Sequence, residues 1–220
     1  MNEIKTTEEG ISQEGLFKKI LIRCPECQTQ KNLEVPSKII NQSKHITTIS
    51  IPAGTICKHY FQAFVDKYYN VRGYQVVDFK ISKMEYYESR GLEEDRDDEE
   101  EDFTSLPIFK EIIDLLRYVV DDYEIIGSAI FTVEGKVLYS SIPHSALFNT
   151  IKEFEVRNEK GMHSIIKMFL ELKNHQKVCS EYTKIHDNDF ILILIFSKDV
   201  NLAIGTMYLR DLTKRINLLL

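Results

Sequence analysis

The chain has 220 residues, 43% apolar and 28% charged, with a formal net charge of −6, four cysteines and no tryptophan. That balance excludes a disordered chain, which lacks apolar surface to bury. The longest apolar run, "FILILIF" at 190–196, is far short of the roughly 20 residues a membrane-spanning helix requires. The length suits one large domain or two of about 80 to 120 residues each, and two are expected.

The opening stretch, "MNEIKTTEEGISQEG", is polar and acidic, with no basic start followed by an apolar run. It reads as a flexible N-terminus over residues 1–15 rather than a secretory signal. A cytoplasmic and therefore reducing location is expected. There, cysteines bind metal or stay free more often than they form structural disulfides.

"KKILIRC" reads as a strand entering a Cys-Pro-Glu-Cys turn and "KNLEVP" as a strand leaving it. "HITTISIPAG" is a third strand, closed by Pro52 and Gly54. "TICKHYF" follows, and Cys57 and His59 supply two more metal-ligand side chains. The set Cys24, Cys27, Cys57 and His59 is spaced C-x2-C, x29, C-x-H. Zinc favours four-coordinate Cys/His sites, and two ligand pairs on separate turns are the usual way a small β unit clamps it. The expected cofactor is a structural Zn.

The first pair resembles a zinc-ribbon knuckle, with Pro25 setting the tight turn, and the likeness extends over about residues 16–82. The second pair departs from that pattern, because C-x-H is shorter than the usual C-x2-C and in a strand would point both side chains to one face. His45 is therefore the reserve fourth ligand. A thiol redox site would need its cysteines between a strand and a helix N-terminus, whereas Gln28 to Pro36 looks extended. A catalytic zinc would need an open position and a nearby general base, and only Glu26 lies close in sequence.

"HYFQAFVDKYYNVRGYQVVDFKIS" fits a helix face through Phe61, Phe64, Val65, Tyr68 and Tyr69. It also fits a hairpin through Phe61, Ala63 and Val65, then Tyr74, Val76 and Phe79, and Gly73 with the two aspartates favours the hairpin. Arg72 and Tyr74 beside Tyr68 and Tyr69 read as an aromatic half-buried sheet, or alternatively as a contact patch.

Residues 93–102, "EEDRDDEEED", carry nine acids and one Arg, a net of −8. Such a run repels itself and resists burial, so 91–104 reads as a solvated linker between a 16–90 module and a 105–220 domain. The alternative is an acidic segment that docks on a basic partner. Residues 1–92 hold thirteen basic and ten acidic side chains, and 103–220 fourteen and fifteen. Neither has the clustered Lys and Arg that neutralise phosphates, so nucleic acid is not the expected partner.

"PIFKEIIDLLRYVVDDY" carries Phe109, Ile112, Ile113, Leu116 and Val119 at helical spacing, with Pro107 in the first turn. "IGSAIFTVEGKVLYSS" is a hairpin turning at Glu134-Gly135. "HSALFNTIKEFEVRN" and "MHSIIKMFLELKNH" both read as helical. "VCSEYTKIHDND" and "FILILIFS" are strands, the second continuous enough to be buried on both faces. "NLAIGTMYLRDLTKRINLLL" closes as a helix with Leu209, Leu212, Ile216 and Leu219 on one face. Tyr118, Phe131 and Phe169 are expected in the core, Cys179 as a core thiol and His163, His175 and His186 at the surface.

The fold class expected is α+β: a mostly-β zinc-ribbon-like module followed by an α/β sandwich with a central antiparallel sheet. Over about residues 107–220 the chain resembles the roadblock/LC7 family, related to the longin and profilin-like folds. The likeness rests on the "IGSAIFTVEGKVLYSS" hairpin and on the Asn-Leu-x-x-Gly start of "NLAIGTMYLRDLTKRINLL". It departs from the family at 144–175, longer than the single helix expected there. The resemblance implies a non-enzymatic homo- or heterodimer that serves as a platform for small Ras-like GTPases. No catalytic residue carries over, and the sequence contains neither a Gly-rich phosphate loop nor a Ser/His/Asp pattern. Two alternative readings are a nucleic-acid-associated zinc-ribbon regulator and a thiol redox protein.

Overall fold

The computed structural model describes residues 15–89, 103–161, 165–185 and 188–219. The segment before residue 15, the acidic tract at 93–102, His163 and His186 lie outside the described residues. β1 (Phe17–Arg23) and β2 (Gln30–Pro36) form a separate two-stranded ribbon in which Ile20 lies opposite Leu33. Alternation decides its orientation: Ile20, Ile22, Leu33 and Val35 are buried, while Leu21 between them is exposed. A short helix α1 (Ser37–Gln42) follows Pro36 and buries Ile39 and Ile40.

β3 (Ile46–Ile51), β4 (Phe61–Val65), β5 (Val71–Val76) and β6 (Glu85–Ser89) come next. The expected hairpin is present, with Phe61 opposite Val76 and Ala63 opposite Tyr74. Beyond the tract lie α2 (Pro107–Tyr118), β7 (Ile125–Thr132), β8 (Val137–Ser140), α3 (His144–Glu159), β9 (Lys167–Glu171), β10 (Lys177–Ile185), β11 (Asn188–Phe196) and α4 (Leu202–Asn217). The architecture is mixed α+β around a large antiparallel sheet.

Among the described residues the sheet has nine strands, in the order β5-β4-β3-β6-β8-β7-β11-β10-β9. Strands from both sides of the acidic tract therefore share it, meeting where Tyr86 pairs with Ser140 and Tyr87 with Tyr139. Side chains reinforce that seam. Arg117 of α2 binds Glu85 at 2.8 Å, Lys136 binds the buried Glu88 at 2.5 Å, and Lys83 binds Asp122 at 2.6 Å. Lys38 of α1 also pairs with Glu155 of α3. Glu88 further accepts the backbone N–H groups of Lys44 and His45, at 2.6 and 3.1 Å, so its charge is satisfied on two sides.

Period-two alternation on β11 divides the core. Ile191, Ile193 and Ile195 face a cluster with Phe131, Phe154 and Ile151 of α3, continuous with Ile20, Ile22, Ile40, Ile49 and Phe61. Phe190, Leu192, Leu194 and Phe196 face α2 and α4 through Ile112, Leu116, Leu209, Leu212 and Ile216. Each such side chain contributes about 1.5–3 kcal/mol on burial. α4 approaches closely because residue 205 is glycine: a Cβ there would lie 2.9 Å from Cys179 Sγ. Asn201 starts that helix by accepting the Ile204 N–H at 2.9 Å.

Three expectations are corrected. "MHSIIKMFLELKNH" contains the strand β9 rather than a helix, because pairing Met168 and Leu170 with Ser180 and Val178 closes the flank of β10. Tyr118 is 78% exposed, at the last turn of α2 where the buried stripe has rotated away. Phe169 is 38% exposed, on the outermost strand and on the face opposite Met168. Phe131 and Cys179 are fully buried, as read, whereas Leu219 follows α4 and is partly exposed.

Candidate metal centre

β1 delivers Cys24 into a turn closed by two backbone bonds: Cys24 N donates to Thr29 O at 2.8 Å and Gln28 N to Cys24 O at 3.0 Å. Gln28 takes the left-handed conformation, φ 59°, and its side-chain amide donates to Pro25 O at 3.0 Å. The turn is moored to the sheet by Arg23 N, which donates to the Tyr74 hydroxyl at 3.0 Å. Cys24 is thereby buried, while Cys27 stays exposed.

The second ligand pair sits in the loop between β3 and β4. Gly54, with φ +89°, lets the chain double back so that its N–H reaches Cys57 O at 2.7 Å. Lys31 of β2 donates to Thr55 O at 2.9 Å and draws this loop onto the first turn. Cys57 and His59 lie in a loop and not in a strand; β4 begins only at Phe61. The loop, rather than strand alternation, converges them.

The ligand atoms of Cys24, Cys27, Cys57 and His59 all lie within 4.8 Å of one another and can hold a metal ion. His59 Nδ1 is 3.5 Å from Cys24 Sγ and 3.7 Å from Cys57 Sγ. A tetrahedral zinc with ordinary bond lengths would set S···N edges of about 3.6 Å, which these two distances match. His59 is the histidine of the cluster, and His45 is not in it; its N–H is held by Glu88 at the start of β3.

The thiols differ. Hydrogen bonds from the side chain and backbone of Thr29 bring Cys27 down to about 6, while burial and the adjacent thiols push Cys57 up to about 11. A metal must displace the Cys57 proton, so binding weakens as pH falls. Thr29 was not singled out in the sequence, where a Thr beside a Cys carries no distinctive signal. No helix follows Cys27, since β2 begins at Gln30, so the lowering of its thiol comes from Thr29 and not from a helix N-terminus. Burial pushes the remaining thiol, Cys179, up to about 12, which makes it a poor nucleophile.

The aromatic group at 68–74 has structural partners. Arg72 pairs with Asp66 at 2.6 Å, the Tyr69 hydroxyl donates to Asn41 at 2.6 Å, and Tyr74 packs on Phe61. Tyr68, at 68%, and Arg72 are exposed, whereas Tyr69 and Tyr74 are half-buried. Among the described residues no helix is long and apolar enough to cross a membrane. Compared with models of protein families and with curated proteins, the chain matches none of either.

Proposed function

We propose that this protein is a non-enzymatic adaptor. In it a zinc-clamped β module, residues 16–90, extends the sheet of a roadblock-like domain, residues 105–220, and the acidic segment 91–104 links them. The unit dimerises and binds a small Ras-like GTPase or its regulatory assembly in the cytoplasm. The observation that carries this reading is the completeness of the Cys24, Cys27, Cys57 and His59 cluster. Four protein donors leave a tetrahedral ion no open position for water or substrate, so its contribution is to folding. Three thiolates with an imidazole suit zinc better than the harder cations.

The roadblock-like reading is supported by the element order after the tract: helix, hairpin, helix, three strands, helix. It is also supported by the work Asn201 and Gly205 do in the Asn-Leu-x-x-Gly segment, one capping α4 and the other admitting it to the sheet. Dimerisation through sheet and helices has a surface in β9, whose outer edge pairs with no strand among the described residues and which carries the exposed Phe169 beside Ile166. Native mass and metal content on one sample test the reading together: a dimer with one zinc per chain is expected. A chain that stays monomeric at high concentration and captures no GTPase overturns it.

A further inference from the structure

The short C-x-H spacing raises the question of which imidazole nitrogen takes the metal, and the answer involves a residue outside the four ligands. We infer that His59 ligates through Nδ1 and that Glu26 is the positioning residue that holds its ring, an inference that rests on the metal-clamp reading above. Nδ1 is the nitrogen turned toward Cys24 Sγ and Cys57 Sγ, at 3.5 and 3.7 Å. It is also the ring nitrogen nearer the backbone. With a single residue between Cys57 and His59, the nearer nitrogen closes the tighter chelate loop, so the abbreviated spacing and the ring orientation agree.

A neutral imidazole metallated on Nδ1 carries its one ring proton on Nε2. That nitrogen faces Glu26 Oε2 at 3.7 Å, a gap that a small rotation of the partly exposed carboxylate closes to hydrogen-bond length. Glu26 occupies the middle of the Cys24–Cys27 turn, so the backbone that presents two thiolates also presents the carboxylate. A carboxylate accepting from the distal N–H of a ligating histidine fixes the tautomer and raises the basicity of the ligand nitrogen. The first ligand pair thus orients the second across the ion.

Two measurements on the full chain test this. In 15N-labelled protein loaded with 113Cd, metal–nitrogen coupling is expected at Nδ1 of one histidine, absent in His59→Ala. By competition with a chromophoric chelator, Glu26→Gln is expected to bind one zinc about tenfold more weakly, while Glu34→Gln on the exposed face of β2 binds as the parent does. Coupling through Nε2, or parental affinity in Glu26→Gln, overturns the inference. Cadmium held by thiolates with no histidine coupling overturns it while leaving a metal clamp standing, and protein that takes up no metal defeats both readings.

Discussion

Among the described residues, six strands ahead of the acidic tract are served by one helix of six residues, and five strands beyond it are covered by helices of 12, 16 and 16 residues. The C-terminal part can bury both faces of β11 with its own helices. The described residues of the N-terminal part hold no comparable helices, and two other features stand in their place. That part brings two loops together at a Cys/His cluster that can hold a metal ion, and it lends β6 to the edge of β8. Small β units with little helical cover commonly depend on a metal or on a neighbour for stability; this one has the neighbour, and side chains that can hold a metal.

The largest expected effect separates the two parts. Cys24→Ser, or chelation, is expected to abolish binding of one metal ion and to strip hydrogen-exchange protection from β1, β2 and the 52–60 loop, while β7, β10 and β11 keep theirs. Structural zinc contributes about 10–16 kcal/mol of apparent binding free energy in zinc-finger peptides, enough to decide whether a ribbon folds. Unchanged protection in the ribbon would show that the cluster carries no folding role.

Next come paired core truncations. Ile49→Ala and Ile193→Ala each remove a fully buried side chain, one on either side of the seam, and each is expected to cost about 2–5 kcal/mol. Because one sheet runs through both, the metal-loaded protein is expected to unfold in a single transition that both variants lower. Two separate denaturation midpoints would show instead that the seam uncouples.

Lys136→Met tests the seam more gently. It leaves the buried Glu88 carboxylate with only its backbone and hydroxyl donors, and a loss of about 2 kcal/mol is expected, below the full cost of breaking a buried pair because Lys136 is partly exposed. A chemical denaturation curve matching the parent's would remove the ion pair from the account of the seam.

His144, first residue of α3, packs on Phe17 of β1, and its Nε2 lies 2.6 Å from the Tyr86 hydroxyl on β6. Burial keeps it neutral below the ordinary histidine range, with Glu34 acting weakly the other way. The unfolded chain takes up the proton near pH 6.5. The associated stability is therefore fully present above that pH and is lost as pH falls from it through the lower value of the folded state. A Tm that drops between pH 7 and 5.5, and drops less in His144→Gln, is expected. The smallest effect belongs to Lys19→Ala, whose 3.9 Å pair with Glu34 is exposed at both ends; a change within about 0.5 kcal/mol is expected by the same thermal measurement.

Local pattern made much of this legible. The spacing of Phe109, Ile112, Ile113 and Leu116 defines α2, the apolar run at 190–196 defines β11, and Glu134-Gly135 marks the β7–β8 turn, where Gly135 has φ +87°. Ile165, Met168, Phe169 and Leu172 misled because strand residues of a doubly covered sheet can fall at helical intervals by chance; the open flank of β10 decided the outcome. The metal cluster was readable from ligand type and spacing. The choice of His59 over His45 was not, since it depends on how the loop around Gly54 folds back. Nor could composition reveal that strands on either side of a −8 tract join edge to edge, because long-range pairing leaves no local trace.

The order in which a ribosome releases these strands gives the seam one more consequence. β6 is complete at Ser89, but its partner begins only at Val137, so at about 5–20 residues per second the nascent edge waits several seconds for its neighbour. An unpaired strand is a template for aggregation, and charged side chains on it are a common safeguard. Glu85 and Glu88, which end as buried partners of Arg117 and Lys136, spend that interval as guards of an open edge.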